Sequence, residues 1–309
     1  MYTKIMIPLD GSRCSEMILP YARRLARSMG LSVELFHAID QKSVVEYIDP
    51  AHGRYMETVE TELQQRAQQY LHTTAAEQLT ELTVECSVDL GLPENAIVTR
   101  AEQRNGTLIA MATRGHSGIK RWFLGSVADK VLQATKNPLL LVKAIGNERI
   151  SHEGKIRSLL VPVDGSELAE CILPHAAAVA KAMNLPIELI RAYSLFIGAA
   201  VHPPYDVGSL PLSADDRIVE SVKKEAEEYL AIKESQLHAW GINKVARFSI
   251  LADAAEQIIE TAQKTPLSLI VMSTHGRSGI GRWVLGSVAG RVIRQSGEPV
   301  LVVRPENAS

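Results

Sequence analysis

Gly115-His-Ser-Gly-Ile-Lys-Arg-Trp-Phe-Leu-Gly-Ser126 returns later in the chain as Gly276-Arg-Ser-Gly-Ile-Gly-Arg-Trp-Val-Leu-Gly-Ser287. Glycines, serines, the Arg-Trp pair and the spacing repeat together. A glycine-rich loop that opens a helix presents backbone N–H groups to an anion, and the missing Cβ lets a phosphate come close. Two such loops on one polypeptide point to two related anion sites.

Outward from the loops the repeat continues. Lys4-Ile-Met-Ile-Pro-Leu-Asp-Gly-Ser12 matches Ser158-Leu-Leu-Val-Pro-Val-Asp-Gly-Ser166, and Ile18-Leu-Pro20 matches Ile172-Leu-Pro174. Asn137-Pro-Leu-Leu-Leu-Val142 matches Glu298-Pro-Val-Leu-Val-Val303. The offset grows from 154 to 161 residues along the copies, which places extra chain in the second, most simply between Phe196 and Leu212. A period this long marks duplicated domains, not a solenoid. The division reads as 1–143, a polar, glycine-punctuated linker over 144–156, and 157–305.

Each copy alternates strand and helix. In the first, short apolar runs predict strands over Lys4–Leu9, Ser32–Ala38, Thr83–Val88, Thr107–Ala112 and Leu139–Lys143. Between them the pattern predicts helices over Cys14–Met29, His52–Leu79, Pro93–Gln103 and Trp122–Thr135, with Ser12 as an N-cap and Gly30 as a stop. Continuous apolar strands separated by helices indicate a parallel sheet covered on both faces. Each copy is expected to be a doubly wound α/β domain with five parallel strands in the order 3-2-1-4-5.

Bulk properties narrow the function. The 309 residues carry a formal net charge of −2, so no global positive field favours nucleic acid. No apolar run is long enough to span a bilayer, and Met1 leads straight into a strand, which argues against membrane insertion and a signal peptide. Cys14, Cys86 and Cys171 are odd in number and lie far apart, which suits a reducing cytoplasm and gives no zinc spacing. His37, His116, His175 and His275 have no metal-ligand spacing either, so no metal site and no catalytic set is expected.

In open α/β sheets, ligands bind beyond the carboxyl ends of the strands where the strand order reverses. Asp10 and Asp164 follow the first strand of each copy, and the glycine loops follow the fourth. The carboxylate could accept hydrogen bonds from a nucleoside. The N–H groups of Gly125-Ser126 and Gly286-Ser287, at the positive end of the next helix, could donate to phosphates. Each piece alone has a plainer reading, since Asp-Gly-Ser after a strand is also a common turn and cap. Trp122, Trp283, Arg121 and Arg282 read more simply as structural or exposed residues than as nucleotide contacts.

These motifs resemble those of the universal stress proteins, whose nucleotide motif is Gly-x2-Gly-x9-Gly-[Ser/Thr] with an Asp after the first strand. Here it aligns as Ala112-x2-Gly115-x9-Gly125-Ser126 and Ser273-x2-Gly276-x9-Gly286-Ser287. The resemblance covers both halves, as in a tandem member of the family. It implies ATP as ligand, with Mg²⁺ as a companion, a cytoplasmic location and a stress-linked regulatory role with an unidentified protein partner. It also implies that Pro8, Leu9, Asp10, Ala38, Met111, Ala112, Gly115, Gly125, Ser126 and Val127 form one nucleotide site. Pro162, Val163, Asp164, Ala192, Met272, Ser273, Gly276, Gly286, Ser287 and Val288 would form the other. The family's dimers meet through their last strands, which implies that the two copies pair as an internal pseudo-dimer about those strands, with a homodimer as a further step.

The sequence departs from the motif at its first glycine, which is Ala112 in one copy and Ser273 in the other. Gly91-Leu-Pro93 at one rim becomes Ala252-Asp-Ala254 at the other, and Asp253 is expected to weaken phosphate binding at the second site. No phosphate-binding loop of the Gly-x4-Gly-Lys-[Ser/Thr] type is present, and one carboxylate per crevice is expected. The leading reading is an ATP-dependent binding module and not an efficient catalyst. The alternatives are a scaffold or chaperone-like protein with vestigial crevices, and a slow ATPase.

Overall fold

The computed structural model describes residues 1–48, 55–114, 124–144, 154–193, 216–276 and 285–305. The loop residues Gly115, His116, Arg121, Trp122, Arg282 and Trp283 lie outside that set, as do most of the expected linker and the extra chain at 196–212.

The first copy runs β1 (Lys4–Pro8), α1 (Arg13–Glu16), α2 (Leu19–Met29), β2 (Ser32–Ile39), α3 (Gln41–Glu46), α4 (Met56–Gln78), β3 (Val84–Leu90), α5 (Pro93–Glu102), β4 (Thr107–Arg114), α6 (Ser126–Ala134) and β5 (Leu139–Ala144). The second runs β6 (Ser158–Pro162), α7 (Glu167–Glu170), α8 (Leu173–Met183), β7 (Ile187–Tyr193), α9 (Asp216–Ala239), β8 (Val245–Leu251), α10 (Ala254–Lys264), β9 (Ser268–Ser273), α11 (Ser287–Gln295) and β10 (Val300–Val303). The strands form one ten-stranded sheet in the order β3-β2-β1-β4-β5-β10-β9-β6-β7-β8, so each copy has the order 3-2-1-4-5.

Every pairing within a copy is parallel. The seam between copies is antiparallel, with Leu139 opposite Val302, Leu140 opposite Leu301 and Leu141 opposite Val300. Leu140 thus pairs with its own counterpart in the repeat, which sets a pseudo-two-fold axis at that residue pair. The seam closes the apolar edge that each last strand would otherwise present to solvent. Leu140 and Leu301 belong to one core layer and Leu139, Leu141, Val300 and Val302 to the other, and both layers run through both copies.

The expected single helix over Cys14–Met29 is two. Pro20 and Pro174 each sit in the first turn of a new helix, where a missing N–H costs nothing, and the chain breaks just before them. α2 ends on Gly30 with φ 66°, and α8 ends the same way on Asn184 with φ 52°, the two residue types that tolerate this left-handed stop best. α3 was not expected. It fills the chain between β2 and α4 and buries Val44 with Val59 in a small satellite cluster.

Ties across the seam hold the halves together. Tyr2 Oη and His175 Nδ1 are 2.6 Å apart. Arg304 donates to the carbonyls of Gln133 (2.7 Å) and Leu132 (3.4 Å), capping the end of α6 from the opposite copy.

Candidate nucleotide crevices

Asp10 and Asp164 leave their strands into matching turns. Asp10 Oδ1 accepts from the Ser12 N–H (2.9 Å) and hydroxyl (2.5 Å), and Ser12 Oγ accepts from the Ser15 N–H (3.2 Å) to cap α1. Asp164 Oδ1 accepts from the Ser166 N–H (2.9 Å) and hydroxyl (2.6 Å), and Ser166 Oγ accepts from the Ala169 N–H (3.2 Å). Each aspartate therefore serves the turn and the crevice at once: one oxygen anchors the loop, and the residue lines the cavity beyond it.

Across from Asp10 stand Gly125, Ser126 and Val127 at the start of α6, with Pro8, Leu9, Ala38, Met111 and Ala112 completing the wall of a cavity of about 470 Å³. Across from Asp164 stand Gly286, Ser287 and Val288 at the start of α11, with Pro162, Val163, Ala192, Met272, Ser273 and Gly276 around a cavity of about 250 Å³. β1 and β4 are neighbours, as are β6 and β9, and this adjacency brings each carboxylate to face a helix N-terminus. Gly115 lies outside the described residues, so its place in the first crevice is not described.

Several lining residues carried no motif. The first cavity is also bounded by Ser12, Cys14, Ser15 and Asp40, and the second by Ala169, Thr274 and His275. Asp40 gives the first crevice a second carboxylate, which corrects the expectation of one per copy. It follows β2 at the same sheet edge where Asp10 follows β1, and that topological equivalence is the signal that could have found it. Ser15 is answered in the second copy by Ala169, so the first crevice is the more polar of the two.

The loop of the second copy is stapled to itself. The Gly286 N–H donates to the Thr274 carbonyl at 2.9 Å. This N–H is therefore not the free donor the sequence suggested, and the Ser287 and Val288 N–H groups remain for an anion. Thr274 Oγ1 is 2.8 Å from His275 Nδ1, and the Ser273 hydroxyl donates to the His275 carbonyl. A Cβ on Gly276 would meet the Asp164 carboxylate, so any larger residue there has to push that side chain aside.

Asp253 does not face the phosphate end as an uncompensated charge. It caps α10 by accepting from the Glu256 N–H (2.9 Å), and its carboxylate is paired with Arg291 on α11 at 2.9 Å. The charge expected to weaken the second site is thus partnered by Arg291. The first copy has the equivalent tie, Lys130 on α6 to Glu94 on α5 at 2.5 Å. Beside the first crevice, burial lowers the His37 imidazole below its ordinary value, against the opposing pull of the Leu9 backbone and of Asp10.

The profile of the Universal stress protein family matches residues 1–143 and 155–304. A universal stress protein of Mycolicibacterium smegmatis is 27% identical over 311 residues, covering 97% of each chain. A universal stress protein of Methanocaldococcus jannaschii is 34% identical over 152 residues, covering 49% of this chain and 84% of its own. Among solved structures, a universal stress protein from Archaeoglobus fulgidus superposes with a TM-score of 0.67 at 22% identity, covering 97% of this chain and 98% of the other.

Proposed function

The chain belongs to the universal stress protein family, and on that premise we propose that it binds adenine nucleotide, ATP foremost, in both crevices and acts as a nucleotide-dependent regulatory module. One observation carries the reading. In each copy a carboxylate at the end of the first strand faces, across a cavity, the N-terminus of the helix that follows the fourth. A nucleoside offers donors to the carboxylate, and its phosphates offer charge to the Ser126-Val127 or Ser287-Val288 N–H groups and the positive helix end. Met111 with Ile97, and Met272 with Ile258, supply the apolar wall that a purine needs. Occupancy would favour one arrangement of the loops at the crevice mouth, and so alter what a partner protein meets there.

Mg²⁺ would arrive with the phosphates, and the oxygen donors of the first crevice, Asp10, Asp40 and Ser126, suit it. Bound there, the ion would neutralise phosphate charge. Asp40 also favours a second reading, a slow ATPase confined to the first crevice, in which one carboxylate holds nucleotide and the other orients water. Among the described residues the lining offers no lysine or arginine to stabilise a transferring phosphoryl group, and regulation, not turnover, is the leading proposal.

The test is mass spectrometry of nucleotide released from purified, denatured protein, with calorimetry on stripped protein. Two adenine nucleotides per chain support the reading, and neither released nucleotide nor calorimetric binding overturns it. Conversion of added ATP to ADP that Asp40→Asn abolishes would establish the slow ATPase.

A further inference from the structure

The repeat supplies an internal control for one buried acid. Glu34 in β2 and Glu188 in β7 are equivalent, each on the strand next to the sheet's outer edge. Glu34 is sealed, its side chain 1% exposed and held by Lys4 from β1, by Arg100 Nε from α5 at 2.7 Å and by the Ser87 hydroxyl from β3 at 2.7 Å. Arg100 also donates to Ser87 at 2.8 Å, so the network is closed on itself.

The second copy has the acid without either cation, and a side-chain hydrogen bond from Ser158 is what remains beside it. Ser158 stands where Lys4 stands, Thr261 where Arg100 stands and Phe248 where Ser87 stands. Among the described residues no lysine, arginine or histidine forms an ion pair with Glu188, and its side chain is only half-buried. The strand beside it has changed in the same sense. On β3 the positions facing α5 are Glu85, Ser87 and Asp89; on β8 their counterparts are Ala246, Phe248 and Ile250. Phe248 is 51% exposed and Ile250 36%, and β8 ends the strand order of the sheet. Large exposed apolar groups on an edge strand invite a partner, and a half-buried carboxylate that no described cation faces calls for one.

We propose that the outer face of β7 and β8 is a docking surface for a partner-protein segment that brings an arginine to Glu188 and apolar side chains onto Phe248 and Ile250. The first copy shows the occupant in outline: a guanidinium lies over the equivalent acid, delivered there by its own helix. In the second copy Thr261 stands at that place, and among the described residues no side chain brings a cation there instead. An edge strand also offers backbone pairing to an extended segment, with alternate side chains facing the shelf. The surface adjoins the second crevice, since Ile190 and Ala192, the register partners of Phe248 and Ile250, line that cavity, but the inference does not depend on nucleotide binding.

The test uses the full chain and a labelled peptide, acetyl-Arg-Thr-Val-Thr-Ile-amide, whose arginine and apolar side chains share one face of an extended strand, read by fluorescence anisotropy at low salt, with the arginine replaced by glutamate as control. Saturable binding of the arginine peptide, weakened at least tenfold by Glu188→Gln and by Phe248→Ser, supports the proposal. Ser158→Lys with Thr261→Arg rebuilds the first copy's network and should block the peptide without removing Glu188. Failure of the arginine peptide to bind, or binding indifferent to all three changes, overturns it. Concentration-dependent dimerisation of the chain that Phe248→Ser abolishes would assign the surface to a second copy and overturn it equally.

Discussion

The two halves share a strand order, a turn chemistry and a crevice plan, yet differ in how each half balances its charges. The first copy spends its polar residues inward, in the Lys4–Glu34–Arg100–Ser87 network and in a crevice with two carboxylates. The second keeps the frame but turns apolar at the same places, in Ala169 at the crevice and in Phe248 and Ile250 at the edge. The copies agree where the backbone needs a residue and differ where only side chains are involved. The turn aspartates survive in both because each anchors the loop to its helix.

The comparison is broken most sharply at the paired glutamates. Removing one partner of a buried ion pair leaves the other uncompensated, so Glu34→Gln should cost about 3–5 kcal/mol in denaturant unfolding. Glu188→Gln should cost no more than about 0.5 kcal/mol, because no ion pair is broken and the half-buried charge is already opposed by burial. Equal losses would mean the copies are not energetically distinct. Burial alone would raise the Glu34 carboxyl, but hydrogen bonds from Lys4, Ser87 and Arg100 hold it below its ordinary value. Its contribution is therefore present above the ordinary carboxylate range and is lost as pH falls through the depressed value, and titrating stability in acid should show this loss vanish in Glu34→Gln.

At the seam the halves should instead behave alike. Leu140→Ala and Leu301→Ala each remove a buried side chain from the same pair, and each should cost about 3 kcal/mol. A large difference between them would show that the pseudo-two-fold is one of shape and not of energy.

A smaller effect sharpens the contrast between crevices. Gly276→Ala pushes the Asp164 carboxylate from its seat, so calorimetry should still find two sites, with affinity at the second down about tenfold, roughly 1.4 kcal/mol, and the first unchanged. Unchanged affinity at the second site would mean that Asp164 is not a ligand group.

The least effect is expected at His175, where burial and, secondarily, the N-terminal ammonium lower the imidazole below its ordinary value. The unfolded chain then binds the proton first, so stability should decline as pH falls below the ordinary histidine value. His175→Gln should flatten that decline in a pH series of thermal unfolding. An unaltered profile would remove His175 from the tie between halves.

The strand order was legible because each strand is a continuous apolar run bounded by turn residues, and because Pro138 and Pro299 announce the last strands. The crevice walls were legible where a motif names them. Asp40 and Ser15 were not, since one follows a strand with no motif and the other is an ordinary helix serine until the fold turns it inward. The tie between Asp253 and Arg291 was missed because it joins two helices that no periodicity relates. The network around Glu34 was missed for the same reason: its members come from three strands and a helix, and only the register of β1, β2 and β3 makes them neighbours.

The antiparallel join of β5 to β10 has a geometric consequence for signalling. All strands of one half run against those of the other, so their carboxyl ends, and the crevices there, open on opposite rims of the sheet. A compact partner can read one mouth but not both. If both crevices bind nucleotide as proposed, coupling between them would have to pass through the shared sheet and the helices that pack on it, and two different partners could attend one molecule from opposite ends.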